Sequence, residues 1–195
     1  MSTTSAINPQ AHPGAGPAQA PTDAGSELLT IQRMSVKYDG LEDRIALDVA
    51  SAQGRVARLW FTRYGADALV RATAALVESY ATVQLAKARV APSDAEQIRQ
   101  SALTTQQLTA RLTQRNAAAV QLTPGGTEHL VTGFAMPPHK HGIQLAFVCR
   151  PEIKARVVLQ PAELFQWLSA VQRQYQRAGW ALDVWPAWLS QRPVQ

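Results

Sequence analysis

Three short runs of alternating apolar residues, separated by turn signals, lie between residues 28 and 61, and a helical stripe follows them. Alternation at period two marks half-buried strands, and apolar residues three and four apart mark a helix lying on a core. In the first run, Leu28 to Tyr38, Met34, Val36 and Tyr38 alternate with Ser35 and Lys37. Leu29 and Ile31 sit on the opposite parity, the mark of a bulge or a later strand start. Asp39-Gly40 signals a turn, Ile45, Leu47 and Val49 define a second strand, and Ser51-Ala52-Gln53-Gly54 is the next turn. Ala57, Leu59 and Phe61 define a third strand, with Arg58 and Trp60 on its other face. Thr62 is placed to cap a helix whose stripe is Ala66, Leu69, Val70, Thr73, Val77 and Tyr80.

The layout returns 98 positions later. Phe134 and Met136, then Ile143, Leu145 and Phe147, then Ala155, Val157 and Leu159 occupy the corresponding places. Gln160-Pro161-Ala162-Glu163 opens a helix, with Pro at the first helical position and Glu in the first turn. Leu164, Trp167, Leu168, Val171 and Tyr175 form its stripe, and Gly179 ends it. Identity between the halves is near chance, so the pattern alone carries the duplication.

The expected fold class is therefore α+β: two β-meander-plus-helix units (βββα), a pseudo-repeat offset by 98 residues, joined by a central helix. The units span 28–91 and 123–195, with a helical connector over 92–122. Ser93 and Glu96 read as the connector's capping box, and Ile98, Ala102, Leu108 and Leu112 as its weak apolar stripe. Open strand edges would invite pairing, so a homodimer is expected.

Residues 1–27 hold Pro, Gly, Ala and Ser with no aromatic, and cannot bury enough apolar surface to offset ordering. They read as a disordered tail, which includes His12, and lack a secretory signal's charged and apolar regions. No apolar run of membrane-spanning length occurs, so the expectation is a cytoplasmic protein with no membrane contact. The chain carries 19 Lys+Arg against 14 Asp+Glu, and its 4 histidines and single cysteine leave little for a metal or thiol site.

Candidate chemistry is sparse. His139 and His141 flank Lys140, and on an extended segment both rings face one side, so they are weak metal-ligand candidates with His129 as a third. No cofactor is expected. Cys149 is followed by Arg150, which would lower its thiol pKa at close range, but a small buried residue fits the position better. Asp39, Glu42 and Asp43 read as a solvated hairpin turn. No phosphate loop, nucleophile elbow or zinc-protease motif occurs.

The basic residues say more. Lys37, Arg58, Lys154 and Arg156 fall opposite the expected core, with Trp60 beside Arg58, a composition suited to tracking phosphates and stacking a base. Residues 97–195 hold 10 basic and 4 acidic residues, against 9 and 8 in 28–96. The β-meander-plus-helix layout resembles the whirly and PUR-type single-strand binders, whose repeats have four strands where three are read here. Trp180, Trp185 and Trp188 cluster near the C-terminus; Trp180 and Trp185 read as rings that fold back and lock the last helix, or Trp185 and Trp188 as a partner-binding segment. The leading expectation is a non-catalytic binding or adaptor protein acting through protein–protein contacts. A single-stranded nucleic-acid binder using the basic sheet face is the alternative, and an enzyme of unknown class the third reading.

Overall fold

The computed structural model describes residues 27–88, 91–112, 118–122 and 126–190. The strands are β1 (Glu27–Asp39), β2 (Arg44–Ser51), β3 (Val56–Phe61), β4 (Thr127–Ala135), β5 (Ile143–Arg150) and β6 (Ile153–Leu159). The helices are α1 (Arg63–Lys87), α2 (Pro92–Leu112), α3 (Pro161–Ala178) and α4 (Ala187–Ser190). The tail expected over 1–27 lies outside the described residues, apart from Glu27, which opens β1. His12 lies outside them too.

The six strands close into one barrel in the order β1-β2-β3-β4-β5-β6. Each consecutive trio is antiparallel, and the trios join through two parallel seams, β1 with β6 and β3 with β4. This corrects the expected architecture: there are not two βββα units joined by a central helix, because the meanders are two arcs of a single barrel. A three-stranded meander leaves two edges of unpaired N–H and C=O groups. Pairing β3 with β4 and β6 with β1, four residues on each strand at each seam, takes up part of all four edges within the chain. The edge-pairing argument for a homodimer loses that part of its basis.

Inward-facing residues of the alternating runs fill the barrel. Leu29, Leu47, Leu59, Leu145 and Phe147 have almost no exposed surface, and each such side chain contributes roughly 1.5–3 kcal/mol. The parity break in β1 is a register shift between Ile31 and Arg33, which lets Leu29 and Ile31 join the core.

The helices cover part of the barrel. Thr62 caps α1, its hydroxyl accepting the Gly65 N–H at 3.1 Å. At α3 the Glu163 carboxylate accepts the Gln160 N–H at 2.8 Å, and Gly179 ends the helix at φ 65°. The central helix is no free connector: Leu103, Gln107 and Ala110 are buried, and the Gln107 amide reaches Ser169 on α3. It starts at Pro92, with the Ala91 carbonyl accepting the Asp94 and Ala95 N–H groups, so Ser93 lies inside the first turn. No described helix is long and apolar enough to cross a membrane.

Candidate functional site

The basic face of the first meander is internally neutralised. Ser35, Asp48, Arg58 and Glu128 form one outward row across β1 to β4. Asp48 is 4% exposed and takes two bonds from Arg58, at 2.6 and 3.1 Å, while Lys37 reaches it diagonally at 3.3 Å. Glu128 lies 3.6 Å from Arg58 and accepts the Trp60 indole N–H at 2.8 Å. The guanidinium pKa of Arg58 is raised, chiefly by the Asp48 hydrogen bonds. Arg58 also sits over the Trp60 ring at 5.2 Å. Two cations are matched by two carboxylates, and the Trp60 face is occupied. On the opposite arc Lys154 and Arg156 are exposed, with Arg156 donating to Thr30 at 3.3 Å. The five residues therefore do not form one surface.

The histidines are also split. His139 and His141 lie between β4 and β5, their ring centroids 5.7 Å apart, and His139 Nδ1 accepts the His141 N–H at 3.2 Å. His129 faces inward near the other end of the hairpin, with Nδ1 3.0 Å from the Pro151 carbonyl oxygen. Six strand positions from it to Ala135 span ~20 Å, so the expected third ligand is out of reach. Among the described residues no group of three or more His, Cys, Asp or Glu is placed to hold a metal. Cys149 points into the barrel, and burial pushes its thiol up to about 11, away from a reactive thiolate.

The tryptophans fold back onto the core. Trp180 donates to Asp43 at 3.0 Å, Trp185 meets Tyr175 edge-on at 5.2 Å, and Trp188 donates to Glu78 at 3.0 Å and packs on Phe165. The rings of Trp185 and Trp188 are buried, so neither presents a surface to a partner. The hairpin acids serve the fold as well: Asp39 accepts the Leu41 and Glu42 N–H groups, and Asp43 holds the Tyr38 hydroxyl at 2.8 Å.

What the structure does present is a cleft of about 450 Å³ bounded by α1, α2, the start of α3 and the loop before β5. Val77, Ala81 and Leu85 continue the inner stripe of α1 into it. Ala102 and Leu103 face them from α2, and Leu164 and Phe165 form the floor. Polar groups sit among these: Gln84, Gln106, Arg99 and His139. Arg99 is engaged by Glu96 and by Glu78 at 3.9 Å, and Glu78 also receives Trp188. Gly142 at the edge has φ 154°, and a Cβ there would lie 2.5 Å from the Leu159 carbonyl oxygen. The described lining contains no carboxylate, thiol or Ser/Thr hydroxyl. It offers apolar surface with a few hydrogen-bonding groups, the usual makeup of a binding cleft.

Ile98 and Ala102 stood in the sequence as part of a weak helical stripe, and Tyr80 as the last position of the α1 stripe. In the structure Tyr80 is 47% exposed, as are Val83 at 49% and Ile98 at 42%. The signal for this surface is the width of the apolar pattern on α1. Val77, Ala81 and Leu85 mark one face, and Leu76, Tyr80 and Val83 a second beside it, more than one core contact needs. Comparison with family models, curated proteins and solved structures yields no match to this chain.

Proposed function

We propose that this chain is a non-catalytic polypeptide-binding protein, an adaptor whose docking surface is the α1–α2 face and its cleft. One observation carries the reading: beside the inner stripe of α1 that enters the cleft, Tyr80 and Val83 leave apolar surface about half exposed. The cleft walls present residues at helical spacing, Val77, Ala81 and Leu85 against Arg99, Ala102 and Gln106. Such walls suit an amphipathic helix laid between them, anchored at its i, i+3, i+4 and i+7 positions. The lining without carboxylate, thiol or Ser/Thr hydroxyl supports binding over chemistry. Neutralisation of Lys37 and Arg58 and the covered Trp60 remove support from the nucleic-acid alternative.

A photo-crosslinking side chain at Ala102, in the full chain in its native cells, tests this. We expect capture of a polypeptide whose cross-linked segment maps to an amphipathic helix, and none from the same group at exposed Arg173 on α3. Capture should fall when Leu85→Glu places a charge in the cleft. Equal capture at both positions, or a small molecule retained in the cleft by native mass spectrometry, overturns the reading.

A further inference from the structure

We propose that the barrel accepts an added β-strand between β1 and β6: an extended polypeptide segment, aliphatic at its inward positions and acidic at its outward ones. The site is separate from the α1–α2 cleft and does not depend on it.

The seam between these two strands is short. Glu27 to Thr30 pair with Ile153 to Arg156, and pairing stops there, although β1 runs on to Asp39 and β6 to Leu159. The register shift between Ile31 and Arg33 falls at this point, and a bulge bends its strand. Beyond it the strands border a cavity of about 510 Å³, with Met34 and Val36 on one side, Val157 and Val158 on the other, and Trp167 of α3 in the lining.

One hydrogen bond fixes which way the backbone turns. The Tyr38 N–H donates to the Gln174 side chain on α3 at 3.1 Å, so it faces away from β2. Backbone groups alternate sides along a strand. Met34 and Val36, in unbroken register with Tyr38, therefore also turn their N–H and C=O groups away from β2. The side chains of all three pack toward the core. In a parallel strand the inward residues share that sense, so buried Ala155, Val157 and Leu159 turn their backbone groups to β5. Val158, of the opposite parity, turns its own toward β1. Among the described residues no hydrogen bond reaches Met34, Val36 or Val158 from the gap. Such unpaired edges are templates for strand addition. Trp167 supplies a further unmet donor: the residue is 7% exposed, and its indole N–H has no partner among the described residues.

Charge names the partner's chemistry. Outward side chains of an inserted strand lie between those of β1 and β6. Arg33 flanks the gap on β1, giving one hydrogen bond to the Ala118 carbonyl at 3.0 Å. Arg156 stands at the last pair of the seam, where it donates to the Thr30 hydroxyl at 3.3 Å. Both are exposed, and neither meets a carboxylate among the described residues. Glu163, the carboxylate in the described lining, is engaged as the α3 cap, accepting the Gln160 N–H. Two arginines at the mouth favour acidic outward residues, and Val36, Val157 and Trp167 favour aliphatic inward ones.

The test uses the full chain, labelled with 15N, and a short synthetic peptide of alternating valine and glutamate. The same peptide with lysine in place of glutamate is the comparison. Without peptide, the Met34 and Val36 amides should exchange faster than that of Ser35, which pairs with β2. With the glutamate peptide they should become protected, and the Trp167 indole N–H resonance should shift. The lysine peptide should bind at least tenfold more weakly. Arg33→Glu and Arg156→Glu should each weaken the glutamate peptide about tenfold and together reverse the preference. Val158→Pro removes an N–H that faces the gap and spares the β5 ladder, so peptide binding should fall while the fold persists. Leu85→Glu in the α1–α2 cleft should leave peptide binding unchanged. No saturable protection of Met34 and Val36 by the glutamate peptide, or equal binding of the two peptides, overturns the proposal. So does protection already present without peptide, whether from the rest of the chain or, where it grows with chain concentration, from a second copy.

Discussion

Replacing Trp188 tests its core placement against the partner contact expected from the sequence. In the structure its ring has no exposed surface, lies edge-on to Phe165 at a centroid distance of 5.5 Å, and donates its N–H to Glu78 at 3.0 Å. Trp188→Ala removes all three and leaves a cavity, a loss of about 4 kcal/mol within the ~3–5 kcal/mol span for buried Trp or Phe truncation. Trp188→Phe keeps most of the packing and loses the hydrogen bond. Because the Glu78 side chain is 31% exposed, water can replace the indole donor, and the loss is about 1 kcal/mol. For a chain of this size 1 kcal/mol shifts the melting temperature by roughly 2–4 °C. Calorimetry should therefore read a fall of about 8–16 °C for Trp188→Ala and about 2–4 °C for Trp188→Phe. An alanine variant that melts within about 3 °C of the parent, yet no longer binds its partner, would refute the core placement and return Trp188 to a surface role.

Three further outcomes follow from named contacts. Asp48→Ala leaves Arg58, whose side chain is 13% exposed, with Glu128 at 3.6 Å as its remaining carboxylate partner among the described residues; we expect a loss of about 2–3 kcal/mol in urea unfolding, and less than additive destabilisation when Arg58→Ala is combined with it. Cys149 holds its proton up to about 11 in the folded chain, against 9.0 ordinarily. Above pH 9 the unfolded state ionises first and binds fewer protons. Stability is then full below pH 9 and falls toward pH 11 by up to about 2–3 kcal/mol. Cys149→Ala should remove that part of the alkaline slope, and in the folded parent the thiol should stay inert to alkylating reagents at neutral pH. Gly142→Ala forces its Cβ against the Leu159 carbonyl at a φ that side chains rarely adopt; about 2 kcal/mol of stability should be lost, with His139 resonances moving in NMR spectra as the cleft edge shifts.

Local devices were readable from residue order because each is decided within a few positions. The strand parities, the Thr62 cap, the Gln160–Glu163 helix start and the Gly179 stop all belong to this class. So does the break at Leu29 and Ile31, which returns as the β1 register shift. The candidate site was legible only in fragments. Ile98, Ala102 and Tyr80 were visible as apolar positions, but spacing cannot say which side of a helix its own chain will cover. Alternation shows which way Lys37 and Arg58 face but not their neutralisation, because Glu128 reaches Arg58 from a strand 70 positions away.

Residue order thus determined which face each strand and helix turns toward a core, and where each begins and stops. Alternation reports a face and is silent about neighbours, so only the tertiary structure decided that β3 pairs with β4 and β1 with β6, closing two meanders into one barrel. The same closure placed Glu128 beside Arg58, sent His129 to the far end of its hairpin from His139, and buried the C-terminal tryptophans. It also left Tyr80 and Val83 on α1 about half exposed. Contacts between distant residues depend on how edges are satisfied, and that is settled by the whole chain at once.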